Sequence, residues 1–285
     1  MTDKQPTAFT FHKVRQECEA AAPNAWAAFL NFYSPLFLHL ASLYSSDEAA
    51  QGEIWGSTLA ALSRNDFEAF RATGRQSERE FLVDVRAVFI RATRETIAAG
   101  PDAQPDAVTT ALGMEKVAKI MEGLPLSHQE ILWFKLGGYT DATIEGMMRT
   151  TPSIARGALG RLEPDFAAAR EAVSDGCLWP GEWLAFLSQA QAAKKEECPP
   201  LHQLLRIHDG QVSWYDKEPM EKRVAGCLHC LESWAALREV GYWRGAAPPV
   251  PAPKIEGWLR LLPIDARMAP ATTEKKKSLL RRVFG

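Results

Sequence analysis

The chain has 285 residues, 46% hydrophobic and 24% charged, with a formal net charge of -2 and a pI near 6.3. That length suits about two domains and an ordinary globular core. No bulk basicity points to nucleic acid, so such a function has to rest on local patches. The five cysteines, an odd number, with no apolar leader in "MTDKQPTAFTFHK", argue against a secreted disulfide scaffold and for reduced thiols in the cytoplasm.

Apolar periodicity is helical almost throughout and strand-like alternation is rare, so the expected fold class is all-α. Helices are expected at 11–21, 23–44, 47–63, 76–98, 113–122, 127–137, 140–148, 152–172, 180–195, 199–208 and 218–240. The span 25–44 approaches the length of a membrane helix. Asn31, Ser34, Pro35, His39 and Ser42 interrupt it, and its apolar residues cluster as on a buried face, so no membrane insertion is expected. "AAGPDAQPDA" (98–107) reads as a linker, "SDGCLWPGE" (174–182) as a second break and "RGAAPPVPAPK" (244–254) as an extended proline-rich stretch. The basic end "KKKSLLRRVFG" reads as a mobile tail. The resulting units are 12–98, a linker 99–111, 112–172, a connecting helix 173–197, a small module 198–240, and 241–285.

The run 124–162 has the layout of a helix-turn-helix. Leu124-Pro125 opens a helix that Gly137-Gly138 ends. Thr140 caps a short helix carrying Ile144, Met147 and Met148. Thr151 caps the last helix, with Pro152 at its first position, where proline costs least. In such a unit the second helix enters the major groove. Ser153, Arg156 and Ala155 are then placed to meet base edges, and Arg149 and Arg161 to meet phosphates. Gly157 and Gly160 each weaken this helix by about 1 kcal/mol relative to alanine. A helical hairpin that binds nothing is the competing reading.

In the last third, Cys227 and Cys230 stand two residues apart, and Cys198 lies four before His202. On a helix Cys198 and His202 would share a face. Cys198, His202, Cys227 and Cys230 then make three thiolates and one imidazole, enough for one structural Zn2+. Two alternatives stay open: a metal-free hairpin with reduced cysteines, and a redox pair of Cys198 with Cys227 or Cys230. Cys18 and Cys177 read as packing residues. No phosphate loop, Gly-x-Ser-x-Gly or His-Glu-x-x-His is present, so no enzymatic activity is expected.

The helix-turn-helix run resembles region 4 of the sigma-70 family, specifically the extracytoplasmic-function sigma factors. The resemblance is carried by Leu124-Pro125, Gly138-Tyr139-Thr140, Ile144, Ile154 and Arg161. It departs at the family's Glu-Ile-Ala, which here is Thr143-Ile144-Glu145. "NAWAAFLNFYSPLFLHLA" is similar to the opening helices of region 2. "SDEAAQGEIWGSTLAAL" resembles the acidic helix that grips the polymerase clamp, with Glu48, Glu53, Ile54 and Trp55 matching and Ala49 and Gly52 replacing Asp and Gln. "EREFLVDVRAVFIRATRE" resembles the helix that melts promoter DNA, and Arg86, Arg91 and Arg94 would face phosphates. Alone, that stretch reads better as an amphipathic helix with a solvated arginine face. The resemblance implies core RNA polymerase and promoter DNA as partners, with Thr151 among the DNA-facing residues.

The stretch 198–240 resembles the zinc-binding anti-sigma domain through Cys198, Leu204-Leu205, Asp209-Gly210, Val212, Cys227 and Cys230. That family's histidine falls here on Arg223, which cannot ligate zinc. Such a module tethered to a sigma-like body implies intramolecular docking, since a short tether raises effective concentration to about the millimolar range. A sigma-like protein that has lost promoter recognition and binds a protein partner is the alternative.

Overall fold

The computed structural model describes residues 10–74, 76–98, 107–173 and 181–264. These fold into fourteen helices, and no strand occurs among the described residues. Cys177, most of the expected linkers, and the basic tail lie outside them. No described helix is long and apolar enough to cross a membrane.

The first four helices are α1 (Phe11–Glu19), α2 (Pro23–Ser42), α3 (Glu48–Ala72) and α4 (Glu78–Ala98). They bury an aromatic cluster. Trp26 meets Phe29, Phe67 and Phe70 at ring separations of 5.0–5.2 Å, and Phe37 stacks on Trp55 at 4.5 Å. Asp47 starts α3 by accepting the amides of Ala49 and Ala50. The helix breaks near its end, where Asn65, Asp66 and Phe67 take left-handed angles in succession. Such residues cost about 1–3 kcal/mol each and persist where packing fixes them; Phe67 is fully buried beside Trp26.

The middle of the chain gives α5 (Ala107–Met121), α6 (Leu126–Leu136), α7 (Asp141–Met148), α8 (Pro152–Arg161) and α9 (Glu163–Val173). Where one helix over 152–172 is expected, two are found, with the break at Leu162 just before Glu163-Pro164. Gly138 takes a left-handed φ of 86° after α6, and the Thr140 hydroxyl accepts the amide of Thr143 to start α7.

The last helices are α10 (Gly181–Ala192), α11 (Leu201–His208), α12 (Trp214–Ala225), α13 (Leu228–Ala246) and α14 (Ala252–Leu259). The single helix expected at 218–240 is two, divided at Gly226-Cys227. The stretch expected to be wholly extended carries α14 at its end, because prolines 248, 249 and 251 disfavour helix only until Pro251 can serve as its N-cap.

This last group packs against both earlier ones. Helix α13 lies between the two earlier groups, packing on α2 and α4 on one side and on α6 and α7 on the other. Two glycines make the fit possible. A Cβ at Gly146 of α7 would stand 2.7 Å from the Tyr242 hydroxyl, and one at Gly241 of α13 would stand 3.3 Å from Arg79 of α4. Helix α10 packs on α4, α5 and α13, its Trp183 and Phe186 enclosing Trp133 of α6.

Candidate metal centre and nucleic-acid face

Three thiols converge where α12 turns into α13. Gly226 ends α12, Cys227 is the extended residue before α13, and Cys230 lies in that helix's first turn. Cys198 comes from the loop between α10 and α11, where the Lys195 amide points at its sulfur at 3.3 Å. The Sγ atoms of Cys198, Cys227 and Cys230 all lie within 4.8 Å of one another, and those of Cys198 and Cys227 are 3.8 Å apart. Zinc–sulfur bonds of about 2.3 Å in a tetrahedron place sulfurs about 3.8 Å apart, the separation of Cys198 and Cys227, so the three lie close enough together to hold a metal ion.

The environment splits the two neighbouring thiols. Burial alone would raise Cys227, but the amides of Cys230 and His229 and the thiols of Cys230 and Cys198 outweigh it and lower the pKa. Burial, reinforced by the charge on Cys227, pushes Cys230 up. The start of α13 therefore favours a thiolate at Cys227.

His202 does not join the group. It is exposed on α11, outside the three-thiol cluster. The expected shared helical face requires Cys198 to be helical, and Pro199-Pro200 delay the helix until Leu201. His229 turns its Nδ1 to the carbonyls of Ala190 and Gln191, at 3.3 and 3.0 Å. Arg223 donates to the Glu197 carbonyl. Among the described residues the cluster is thus three thiols with no protein imidazole. It is flanked by a cleft that Cys198, Tyr215, Met220 and Arg223 line and by another that Lys119, Lys222 and Cys227 line.

The helix-turn-helix residues lie elsewhere. Ile144 and Met147 of α7 pack with Leu159 and Leu162 in the core, and the outward side of α8 carries exposed Ser153, Ile154, Arg156 and Arg161. Arg149, left-handed at the end of α7, is exposed beside them. Arg156 lies 3.8 Å from Glu145 with its side chain 73% exposed. One expectation fails locally: Ala155 is buried and cannot meet a base. Thr151 is the N-cap residue of α8, as expected, but makes no side-chain cap bond, its hydroxyl standing 3.3 Å from that of Ser153.

The residues expected to meet polymerase and melted DNA are divided. Glu48 and Glu53 are exposed, Glu48 facing Lys254 at 2.9 Å. Ile54 and Trp55 are core residues, the Trp55 indole donating to Ser34 at 2.9 Å, so they offer no docking surface here. Arg91 is exposed and Arg94 half-buried. Arg86 is 5% exposed and sealed between two carboxylates of α13: it donates to Glu232 at 2.5 Å and to Glu239. In this arrangement it reaches no phosphate. Burial opposes its charge, but Glu239 and Glu232 hold it protonated, above its ordinary range.

Sequence reasoning passed over the other side of that contact. Tyr139 donates to Glu239 at 2.6 Å, Gln191 to Glu232 at 3.0 Å, and Arg238 grips Glu130 of α6 through two bonds of 2.6 and 3.2 Å. Glu232 and Glu239 are seven apart, so they share one helix face with buried Ala235 and Ala236. Carboxylates on an apolar stripe were the available signal. Comparison with family models, curated proteins and solved structures gives no match to this chain.

Proposed function

We propose that the chain is a sigma-type transcription factor held in a closed arrangement by its C-terminal third. The single observation that carries this reading is the α7–α8 pair, whose outward α8 face presents Ser153, Arg156 and Arg161 to solvent. Short helix, tight turn and an exposed basic second helix are what major-groove entry requires. The burial of Arg86 beneath α13 supports the closed arrangement, because the helix that would face melted DNA is occupied. In this reading one Zn2+ is bound by Cys198, Cys227 and Cys230, and supplies a cross-link between the α10–α11 loop and the start of α13. The site of action is the cytoplasm, on core RNA polymerase and promoter DNA.

The test is promoter-dependent transcription by core RNA polymerase with the full chain, metal-loaded and chelated. Initiation from a preferred set of promoters is expected, with selection lost in Arg156→Ala/Arg161→Ala while polymerase binding is kept. No association with core polymerase in either state sinks the reading. A second reading, a sigma-like protein that acts on a protein partner without promoter binding, is favoured by one observation: Ile54, Trp55 and Arg86 are all committed to the interior. Sequence-preferring, steeply salt-dependent DNA binding by the full chain would exclude it.

A further inference from the structure

The three thiols form a donor set without a fourth member. The Sγ atoms of Cys198, Cys227 and Cys230 lie within 4.8 Å of one another, and among the described residues no carboxylate or imidazole joins them. The nearby candidates are engaged elsewhere. Arg223 donates to the Glu197 carbonyl, and His229 turns its Nδ1 to the carbonyls of Ala190 and Gln191. A closed structural zinc site takes four protein ligands, and a site with three leaves one position to another donor. The cluster is also reachable from outside. Cys198 lines one cleft beside Tyr215 and Met220, and half-buried Cys227 lines another beside Lys119 and Lys222.

Charge then separates the ions that three thiolates could hold. A divalent ion on three thiolates leaves one net negative charge, and a monovalent ion leaves two. Cys198 and Cys230 are buried, where an uncompensated charge is costly. The start of α13 offsets only about half an elementary charge. The clefts add no surplus of cations: Glu196, Glu197 and Asp216 stand against Arg223 in the first, and the second is balanced, two lysines against two glutamates. A trivalent ion cancels all three thiolate charges. Trivalent arsenic and antimony also carry a lone pair where zinc requires a fourth donor, so three sulfurs complete their shell.

We propose that Cys198, Cys227 and Cys230 are a binding site for a trivalent thiophilic ion, arsenite or antimonite in solution, which displaces Zn2+ from it. This rests on the reading above of the cluster as a metal centre, and adds which class of ion that centre selects. The step is ligand exchange, with nothing oxidised or reduced. As(OH)3 and three thiols give three As–S bonds and three waters, each thiol proton leaving on a departing hydroxide. From the zinc-loaded cluster the three protons come from solvent and Zn2+ departs. The neutral product ties the α10–α11 loop to the start of α13.

The test uses the full chain, reduced, with arsenite as the probe. A sulfur-to-arsenic absorption in the near ultraviolet is expected to grow until one ion is bound per chain. X-ray absorption at the arsenic edge should show three sulfur neighbours and no oxygen, a measurement on the unaltered chain that needs no variant to fold. Cys198→Ser, Cys227→Ser and Cys230→Ser should each weaken binding by more than about a hundredfold, beyond the roughly 10–100-fold that loss of an outer-shell partner costs. His202→Ala and Cys177→Ser should leave it unchanged. The zinc-loaded chain should release its ion to a chromogenic chelator as arsenite is added. Oxygen retained on arsenic, binding that survives loss of any one of the three cysteines, or binding that needs Cys177 overturns the proposal. Zinc that resists arsenite also overturns it and leaves the metal centre standing. Arsenite held by three sulfurs in a chain that takes no zinc upholds it and removes zinc from the reading above. If neither ion binds, both fall.

Discussion

Helices α4 and α8 both carry arginines, and the molecule uses them in opposite ways. Arg86 of α4 is closed off between Glu232 and Glu239, whereas Arg156 and Arg161 of α8 face outward. A buried guanidinium with two carboxylates fixes how two helices sit together, while an exposed one contributes little to stability and stays available to a ligand. The contrast separates an arginine that joins α4 to α13 from arginines that lie on the outer face of α8.

The strongest way to break that comparison is to remove the buried arginine. Arg86→Ala leaves two carboxylates without their partner, and a loss of about 3–5 kcal/mol is expected in urea unfolding. Replacing the group together, Arg86→Met with Glu232→Leu and Glu239→Leu, should recover much of it. A triple variant as unstable as Arg86→Ala would show that the charges matter beyond their mutual pairing.

Next in size is a pH effect at the same interface. His208 of α11 faces Arg79 of α4 and the ring of Trp234. Burial first, then the charges of Arg238 and Arg79, lower it from 6.5 to about 4, against the pull of Asp209. Below pH 6.5 the unfolded chain takes up a proton that the folded chain refuses. Stability should therefore fall as pH drops from 6.5 to about 4 and level off below, by an amount on the order of 3 kcal/mol. Denaturant midpoints across that window test it, with His208→Gln expected to flatten the slope.

A smaller effect is expected at the other side of α13. Gly146→Ala places a methyl group 2.7 Å from the Tyr242 hydroxyl, and a loss of about 1–3 kcal/mol is expected from the shift required. Thermal unfolding measures it; a variant as stable as the parent would mean that α7 does not rest on α13. The smallest change in stability, within about 0.5 kcal/mol, is expected for Arg156→Ala/Arg161→Ala. The same pair should make DNA binding less sensitive to salt, the logarithmic slope falling by about 0.9 for each phosphate that is no longer neutralised. Unchanged DNA binding would remove α8 from the recognition role.

The all-helical fold was legible because helix periodicity is a local property, and the three cysteines were legible because their types and spacings are too. What was not legible depends on partners distant in the chain. Arg86 on α4 looks like a solvated arginine until Glu232 and Glu239 arrive about 150 residues later. His202 was paired with Cys198 by a helical spacing that two prolines cancel. Two breaks were missed although each carries a local signal, Pro164 after Leu162 and Gly226 at the end of α12. Helix α14 was hidden by the prolines that precede it, though Ile255, Trp258 and Leu259 already had the spacing of a single face.

Helix α13 begins at the thiols and continues without interruption to Ala246, nineteen residues or about 28 Å. Cys230, Glu232, Arg238, Glu239 and Tyr242 are therefore stations on one stiff shaft. A rotation of the helix as one piece would carry Glu239 past Arg86 and Tyr242 past Gly146 by the same angle.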